Sequence, residues 1–405
     1  MIKGFRQIAV LTMLSRVLGM VRDMTFSAFL GRTGLMDIWA IAFKIPNLSR
    51  RIFGEGALTS SFIPVYVEQL KSDPVRARQL AGAVVTALFF ALSGATAVAM
   101  AVGTLYVLWA QPLAETAYML TLVGIMLPYM VLICLVAALA GILQSHRHFA
   151  APALAPIVLN VVIIAALLLS GWGLQWETRA QLKFTAVGVL LAGVLQLLLQ
   201  VAVLRRLRIT LTFNRHFRAE AFRRVMLLMG PMIMGLTVTQ INTLADDVIA
   251  KVLSGSVAKG EFFSFLGHTL RYPEWEGCVS SLFYAQRLYQ FPLGVLGISL
   301  ATAIFPVLSS RAAQGDLQAL HRTLVRGIQG AVFVALPATA GLFLVARPLV
   351  AVIFEHGAFT AEDTPHVAGT LLFYALGLSG YFLQQLTTRA FYALQESRVP
   401  CRSAL

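Results

Sequence analysis

The sequence predicts an all-α polytopic membrane protein: two helical bundles around a central cavity, with about ten transmembrane helices and the second bundle incomplete. Three observations lead there. The 405 residues are 58% hydrophobic and only 12% charged, with a mean hydropathy of +0.77, far from the roughly 45–50% apolar and 25% charged residues of soluble domains. Apolar stretches of about 20 residues, enough to cross ~30 Å of hydrocarbon, recur along the whole chain. Finally, the stretch from Ser15 to Pro64 embeds Arg16, Arg22, Asp37, Lys44, Arg50, Arg51 and Glu55 in otherwise apolar sequence. An arginine facing lipid at mid-bilayer costs roughly 2.5–3.5 kcal/mol, so these charges are expected to face a wet, protein-lined cavity.

The spans fall near 8–30, 36–66, 80–110, 117–145, 150–172, 183–205, 222–252, 281–309, 328–354 and 366–394. The start of the chain is basic like a signal peptide, but it lacks a long apolar core and a small-residue cleavage site before Arg16, so it reads as a retained first helix. Of the 32 Lys and Arg, 18 fall at the N-terminus and in alternate loops, 7 fall in the opposite loops, and the rest lie within or at the edge of spans. The positive-inside rule therefore places the N-terminus in the cytoplasm. The expected organisation is a six-helix bundle over 1–208, a basic cytoplasmic linker over 209–221 and a partial four-helix bundle over 222–405. The linker reads as a topogenic loop touching anionic lipid. A faint echo, ILQSHRHFAAPA against ALQESRVP and SSFIPV against TAIFPV, suggests two similar halves, an arrangement that lets a site at their interface open to either side.

The net charge of +14 is dispersed between apolar segments, which argues against nucleic acid. Cys134, Cys278 and Cys401 have no CxxC spacing, and His146 and His148 read as loop residues, so no metal site is expected. No phosphate-binding glycine loop, HExxH or GxSxG is present, so neither a nucleotide nor enzymatic chemistry is expected.

The charged stretch carries the functional reading. Arg16 and Arg22 are six residues apart, about 600° of helical rotation, so they diverge by roughly 120° and border one cavity without stacking. Pro46, Gly54 and Gly56 weaken the second span beside Asp37, Lys44, Arg50, Arg51 and Glu55, as in the discontinuous helices of transporter sites. Two readings stand: buried structural pairs such as Arg22 with Asp37 or Arg50 with Glu55, or an anion site. Counting Arg16, Arg22, Lys44, Arg50 and Arg51 against Asp23, Asp37 and Glu55 leaves two positive charges, which favours the anion. In the second half Arg287 either joins that cavity or snorkels to the interface. Guanidinium forks suit diphosphate oxygens. Asp246 and Asp247 bind a coupling cation or proton, or one of them pairs with Lys251 a turn later.

SRVLGMVRD, DIWAIAFKIPNLSRRIFGEGALTSSFIPV, ILQSHRHFAAPALAPIVLN, YAQRLYQFPLGVLGISLATAIFPVLS, FEHGAFTAEDT and RAFYALQESRVP closely resemble the MurJ/MviN family of lipid II flippases, within the multidrug/oligosaccharidyl-lipid/polysaccharide exporter superfamily. The resemblance covers essentially the whole chain. It implies a non-enzymatic flippase in the bacterial inner (cytoplasmic) membrane that moves lipid II, the undecaprenyl-diphosphate-linked muropeptide of peptidoglycan biosynthesis, to the outer leaflet by alternating access. A flippase for another polyprenyl-diphosphate-linked glycan and a non-functional fragment are the alternatives. No cofactor is implied beyond a coupling monovalent cation or proton, and the partners are lipid II and membrane lipids. Carried over by motif, diphosphate binding falls on Arg16, Arg22, Arg50 and Arg287, and the cavity and its gating on Asp37, Asn47, Arg51 and Glu55. Family members carry further helices beyond the last span here, hence the expectation of an incomplete second bundle. The segment 255–280 is longer than the family's usual outer connection and reads as an interfacial loop with Tyr272 and Trp275, and Gln286 stands where many relatives have an acid.

Overall fold

The structure is a computed structural model that describes residues 2–52, 58–256, 259–265, 268–272, 274–394, 396 and 399. Helix α1 (Ile2–Leu30) ends at Gly31, whose φ of +59° lies in the left-handed region, and Thr33 then caps α2 (Gly34–Ser49), its hydroxyl accepting from the Met36 N–H at 3.4 Å. After α3 (Thr59–Ser72), the Asp73 carboxylate accepts from the N–H groups of Val75 and Arg76 at 2.8 and 3.2 Å and so starts α4 (Pro74–Ala110), with proline in its first turn. Then come α5 (Ala114–Ser145), α6 (Ala150–Leu168) with a π-turn at Leu169–Gly173, and α7 (Thr178–Arg206).

The second half holds α8 (Glu220–Val252), strands β1 (Phe262–Phe265) and β2 (His268–Arg271), α9 (Cys278–Pro292), a π-turn at Leu293–Gly297, α10 (Ile298–Ala313), α11 (Leu317–Phe354), α12 (Thr364–Leu376) and α13 (Leu378–Ala393). The expected interfacial loop thus contains a short antiparallel hairpin pairing Phe262 with Arg271 through Phe265 with His268. Among the described residues seven helices are long and apolar enough to cross a membrane, or eight if α12 and α13, bent by 42°, form one span. The other two expected spans are α1 and the α2–α3 pair, and both carry the embedded charges. The expected single span 36–66 is interrupted. Its first piece, α2, is 16 residues long, about 24 Å at 1.5 Å per residue, and runs into a π-type turn at 50–52. Glu55 lies outside the described residues.

Helices α1 to α7 pack as one bundle through α5–α7, α1–α6, α6–α7 and α2–α5 contacts, and α9 to α13 pack through α9–α12, α11–α12, α11–α13 and α10–α11 contacts. Small residues permit the close approaches: a Cβ on Gly188 of α7 would lie 3.3 Å from Cβ of Ala166 on α6. Gln196 Nε2 donates to the Ala155 carbonyl at 2.6 Å, an interhelical bond that lipid could not replace. Side chains such as Leu344, Phe333 and Phe373 are 82%, 78% and 78% exposed, as a lipid-facing surface requires. Helix α8 packs against α2, α3 and α4 as well as α9. The segment before α8 is pinned to α4, where Asn214 Nδ2 donates to the Gln79 carbonyl at 3.0 Å and the Asn214 N–H donates to Thr86 Oγ1 at 3.2 Å.

The end of the bundle where α1 stops and α2 starts, here the distal end, is sealed between the halves. The Ala358 N–H donates to the Ala28 carbonyl at 2.8 Å, and Tyr284 Oη donates to the Gly31 carbonyl at 3.0 Å. The contact needs Gly31: a Cβ there would stand 2.4 Å from the Ala358 carbonyl oxygen, on a backbone that disfavours side chains. Gly31→Ala is expected to cost about 1–2 kcal/mol from backbone strain alone and to lower the thermal unfolding midpoint in detergent. Gly94→Ala, where an added Cβ meets nothing within 4 Å, is expected to leave it unchanged.

Candidate functional site

Where α1, α2, α5, α6, α7, α8 and α9 converge they enclose a cavity of about 560 Å³. Arg22, Lys44, Asn47, Arg50, Arg51 and Arg287 line it, together with Asn160, Gln144, Gln240, Gln286 and Gln290. Five of these are cations, and no carboxylate stands in the wall among the described residues. The acids stand one layer behind.

Asp23 is the first of them, 2% exposed on α1. Its Oδ1 accepts from Arg22 Nε at 3.0 Å and Nη2 at 2.7 Å, and its Oδ2 forms an ion pair with Arg287 Nε on α9 at 2.9 Å. One carboxylate therefore joins a cation from each half. Arg22 Nη1 also donates to Asn160 Oδ1 at 3.0 Å, and Asn160 Nδ2 donates to the Ser15 carbonyl at 3.2 Å, which ties α6 to α1. The Arg287 guanidinium carbon sits 4.9 Å from the centre of the Phe283 ring, a cation–π contact. The second acid is Asp247 on α8, which forms an ion pair with Lys44. Among the described residues these two carboxylates stand behind the five cations of the wall, with Arg51 Nη1 3.5 Å from Gln240 Oε1.

The structure corrects two pairings. Asp37 does not meet Arg22. It is fully buried at the distal end, where its Oδ2 accepts from the Gly277 N–H at 2.9 Å and its Oδ1 from the Ser280 N–H at 2.7 Å. A carboxylate on α2 thus satisfies the exposed amides at the start of α9, where the helix dipole favours negative charge. Asp37 lies in the first turn of α2, at the far end of the bundle, whereas Asp23 is sequence-adjacent to Arg22 and wins the contact. Nor do Asp246 and Asp247 pair with Lys251. Lys251 Nζ lies 3.5 Å from Glu115 and 4.0 Å from Asp37, while Asp247 is taken by Lys44 and Asp246 is exposed. Opposite charges in reversed order on α2 and α8 draw each group across the interface instead of along its own helix.

Of the four arginines expected at a diphosphate, the cavity collects Arg22, Arg50 and Arg287. Arg16 is exposed outside it, its guanidinium against the π-turn after α9: a Cβ on Gly294 would lie 3.0 Å from Arg16 Nη1. The sixfold spacing from Arg22 turns it away. Sequence reasoning did not single out Asp23, Asn160 or Glu115 as site residues. Asp23 was legible in the VRD tripeptide and Asn160 as a lone amide in APIVLN; Glu115 at the head of α5 gave no signal. Among the described residues no three metal-ligating side chains cluster. His146, at the end of α5, has its Nε2 3.1 Å from Tyr66 Oη, and burial pushes its imidazole pKa down, so it serves as a structural link to α3.

A family model described as lipid II flippase MurJ matches residues 26–405. The chain is 31% identical over 403 residues to a protein of Rickettsia prowazekii described as "Probable lipid II flippase MurJ", covering 98% of this chain and 74% of that one. It is 32% identical over 412 residues to "Lipid II flippase MurJ" of Burkholderia cenocepacia, covering 97% and 73%. Among solved structures, "Lipid II flippase MurJ, inward closed conformation" superposes with a TM-score of 0.77 at 25% identity, covering 98% of this chain and 78% of that one. An inward-facing multidrug-resistance MATE transporter of the MOP superfamily shares the fold at a TM-score of 0.69 and 13% identity, covering 98% and 86%. The charged, interrupted first helices, the two packed halves and these likenesses together place the chain in the MurJ family.

Proposed function

We propose that this chain is a lipid II flippase that cradles the diphosphate of its substrate in the cationic cavity and passes it across the membrane by alternating access. The observation that carries the diphosphate reading is the make-up of the wall: among the described residues Arg22, Lys44, Arg50, Arg51 and Arg287 line the cavity and no carboxylate does. A diphosphate brings negative charge and oxygens in pairs, to which arginine forks donate in bidentate fashion. A cationic substrate would require the opposite sign. The polyprenyl tail stays in lipid, while the amides of the wall offer hydrogen bonds to the saccharide and peptide. Bundles 1–208 and 222–405, joined by the basic segment 209–221, act as the two rocking units in the inner membrane, with the N-terminus in the cytoplasm.

In this reading the sealed distal end is the outer gate, and the closed arrangement is held by Asp23 within the membrane and by Asp37 on the start of α9. Opening outward breaks both contacts. The diphosphate competes with Asp23 for Arg287, so loading the cavity weakens the bridge between the halves, which is how an anionic substrate drives the motion. A coupling monovalent cation or proton acts through the exposed Asp246; Asp247 is committed to Lys44. Arg16 contributes in states where the halves have parted, since here it packs beside Gly294.

Translocation of lipid II in proteoliposomes tests the proposal. Arg22→Ala, Arg50→Ala and Arg287→Ala are each expected to lose about 10- to 100-fold in lipid II affinity, the worth of a charge-assisted hydrogen bond, and to lose flipping, while Arg16→Ala keeps binding and slows flipping. Normal flipping by all four variants would sink the cradle. Lipid II is expected to outcompete other polyprenyl-diphosphate glycans; equal binding would favour the broader substrate class. Asp23→Asn leaves two guanidinium groups facing each other without their acid. It is expected to cost about 3–5 kcal/mol of stability, read as a lower unfolding midpoint, and added lipid II is expected to restore more of that midpoint than in the parent chain.

A further inference from the structure

The connection between α8 and α9 is absorbed by none of the above, yet it grips the outer gate. Its last residues, from Glu274, whose carbonyl accepts from the Gly255 N–H at 2.9 Å, to Gly277 at the head of α9, meet the α1–α2 corner of the opposite half. Gly277, at φ +96°, is pressed on Arg32: a Cβ there would stand 2.7 Å from the Arg32 carbonyl oxygen. Glu276 covers Gly34, where an added Cβ would be 2.6 Å from its Oε2. Glu274 reaches furthest. Its Oε2 accepts from Arg32 Nη2 at 3.3 Å and lies 3.9 Å from Nδ1 of His366 on α12. Arg32 Nε in turn donates to Ser281 Oγ on α9 at 2.8 Å.

From this geometry we infer that the α8–α9 connection is a strap that sets how readily the outer gate opens, and that Glu274 is its positioning residue. Glu274 stands between the α1–α2 corner, where it pairs with Arg32, and His366 of α12, so it keeps both neighbours only while the distal seam is shut. The hairpin of β1 and β2 is the spacer that carries the chain out and back; the grip itself is in residues 274–277. Arg32 is almost fully shielded, with its side chain 9% exposed, so it loses both partners when the seam parts. Glu274 is half exposed, which makes the clamp weak enough to open in each cycle. The inference rests on the alternating-access reading, and its test does not require the substrate.

Spin labels at Glu177, before α7, and Glu362, before α12, are both exposed and span the distal seam. Their distance distribution in nanodiscs without lipid II reports the open fraction. Glu274→Gln is expected to raise the population of longer distances about two- to fivefold, the scale of an exposed ion pair. The exchanged pair Arg32→Glu with Glu274→Arg is expected to bring it back toward the parent value, and shortening the hairpin while keeping 274–277 is expected to leave it unaltered. Identical distributions in the parent, Glu274→Gln and exchanged chains would overturn the strap. So would an open fraction that follows the hairpin and ignores Glu274. Failure of the flippase reading shows separately, as absent lipid II transport by the parent chain.

Discussion

Everything at the centre of this molecule turns on one buried carboxylate holding two arginines. Asp23 bonds to Arg22 on its own helix and pairs with Arg287 on α9, so the interface between halves is made through a buried charge. Removing one partner from a buried pair costs far more than the pair is worth. The pair is therefore a constraint before it is a source of stability: neither arginine can leave Asp23 unless another anion takes its place. A substrate that brings such an anion is the natural key to that constraint.

The same logic extends outward along α2 and α8. Lys44 with Asp247, and Lys251 with Asp37 and Glu115, lace the two helices with opposite polarity. Asp37 adds the amides at the start of α9. Each contact crosses from the first bundle to the second, and each uses a charge that lipid would not tolerate alone. The closed form is thus held by polar contacts where the apolar surfaces contribute little, because helix faces in lipid gain nothing by hiding from water. This is a suitable basis for a rocking interface, since polar contacts can be exchanged for substrate or water contacts as the halves move.

The all-helical membrane architecture and most of the cavity's cations were legible in the chain, because both follow from local facts. A 20-residue apolar run has few alternatives in a membrane, and Arg22, Arg50, Arg51 and Arg287 are conspicuous within largely apolar stretches. The partners were not legible. Asp37 as the cap of a helix some 240 residues away, and Asp247 with Lys44 in place of Lys251, depend on how α2 crosses α8 and α9, and no periodicity within one helix encodes a crossing. The i,i+4 spacing of Asp247 and Lys251 even pointed the wrong way. The interruption of the second span was readable from Pro46, Gly54 and Gly56, but the turn begins at Arg50 and not at Pro46, which α2 accommodates within its helix. The strap was visible only as excess length.

A structure of the chain in nanodiscs with lipid II bound shows whether the cationic wall holds the diphosphate. Diphosphate oxygens are expected within hydrogen-bonding distance of Arg287 and at least one of Arg22 and Arg50, with the sugar in the cavity. A diphosphate held elsewhere, with Arg22 and Arg287 still paired only to Asp23, would contradict the diphosphate cradle.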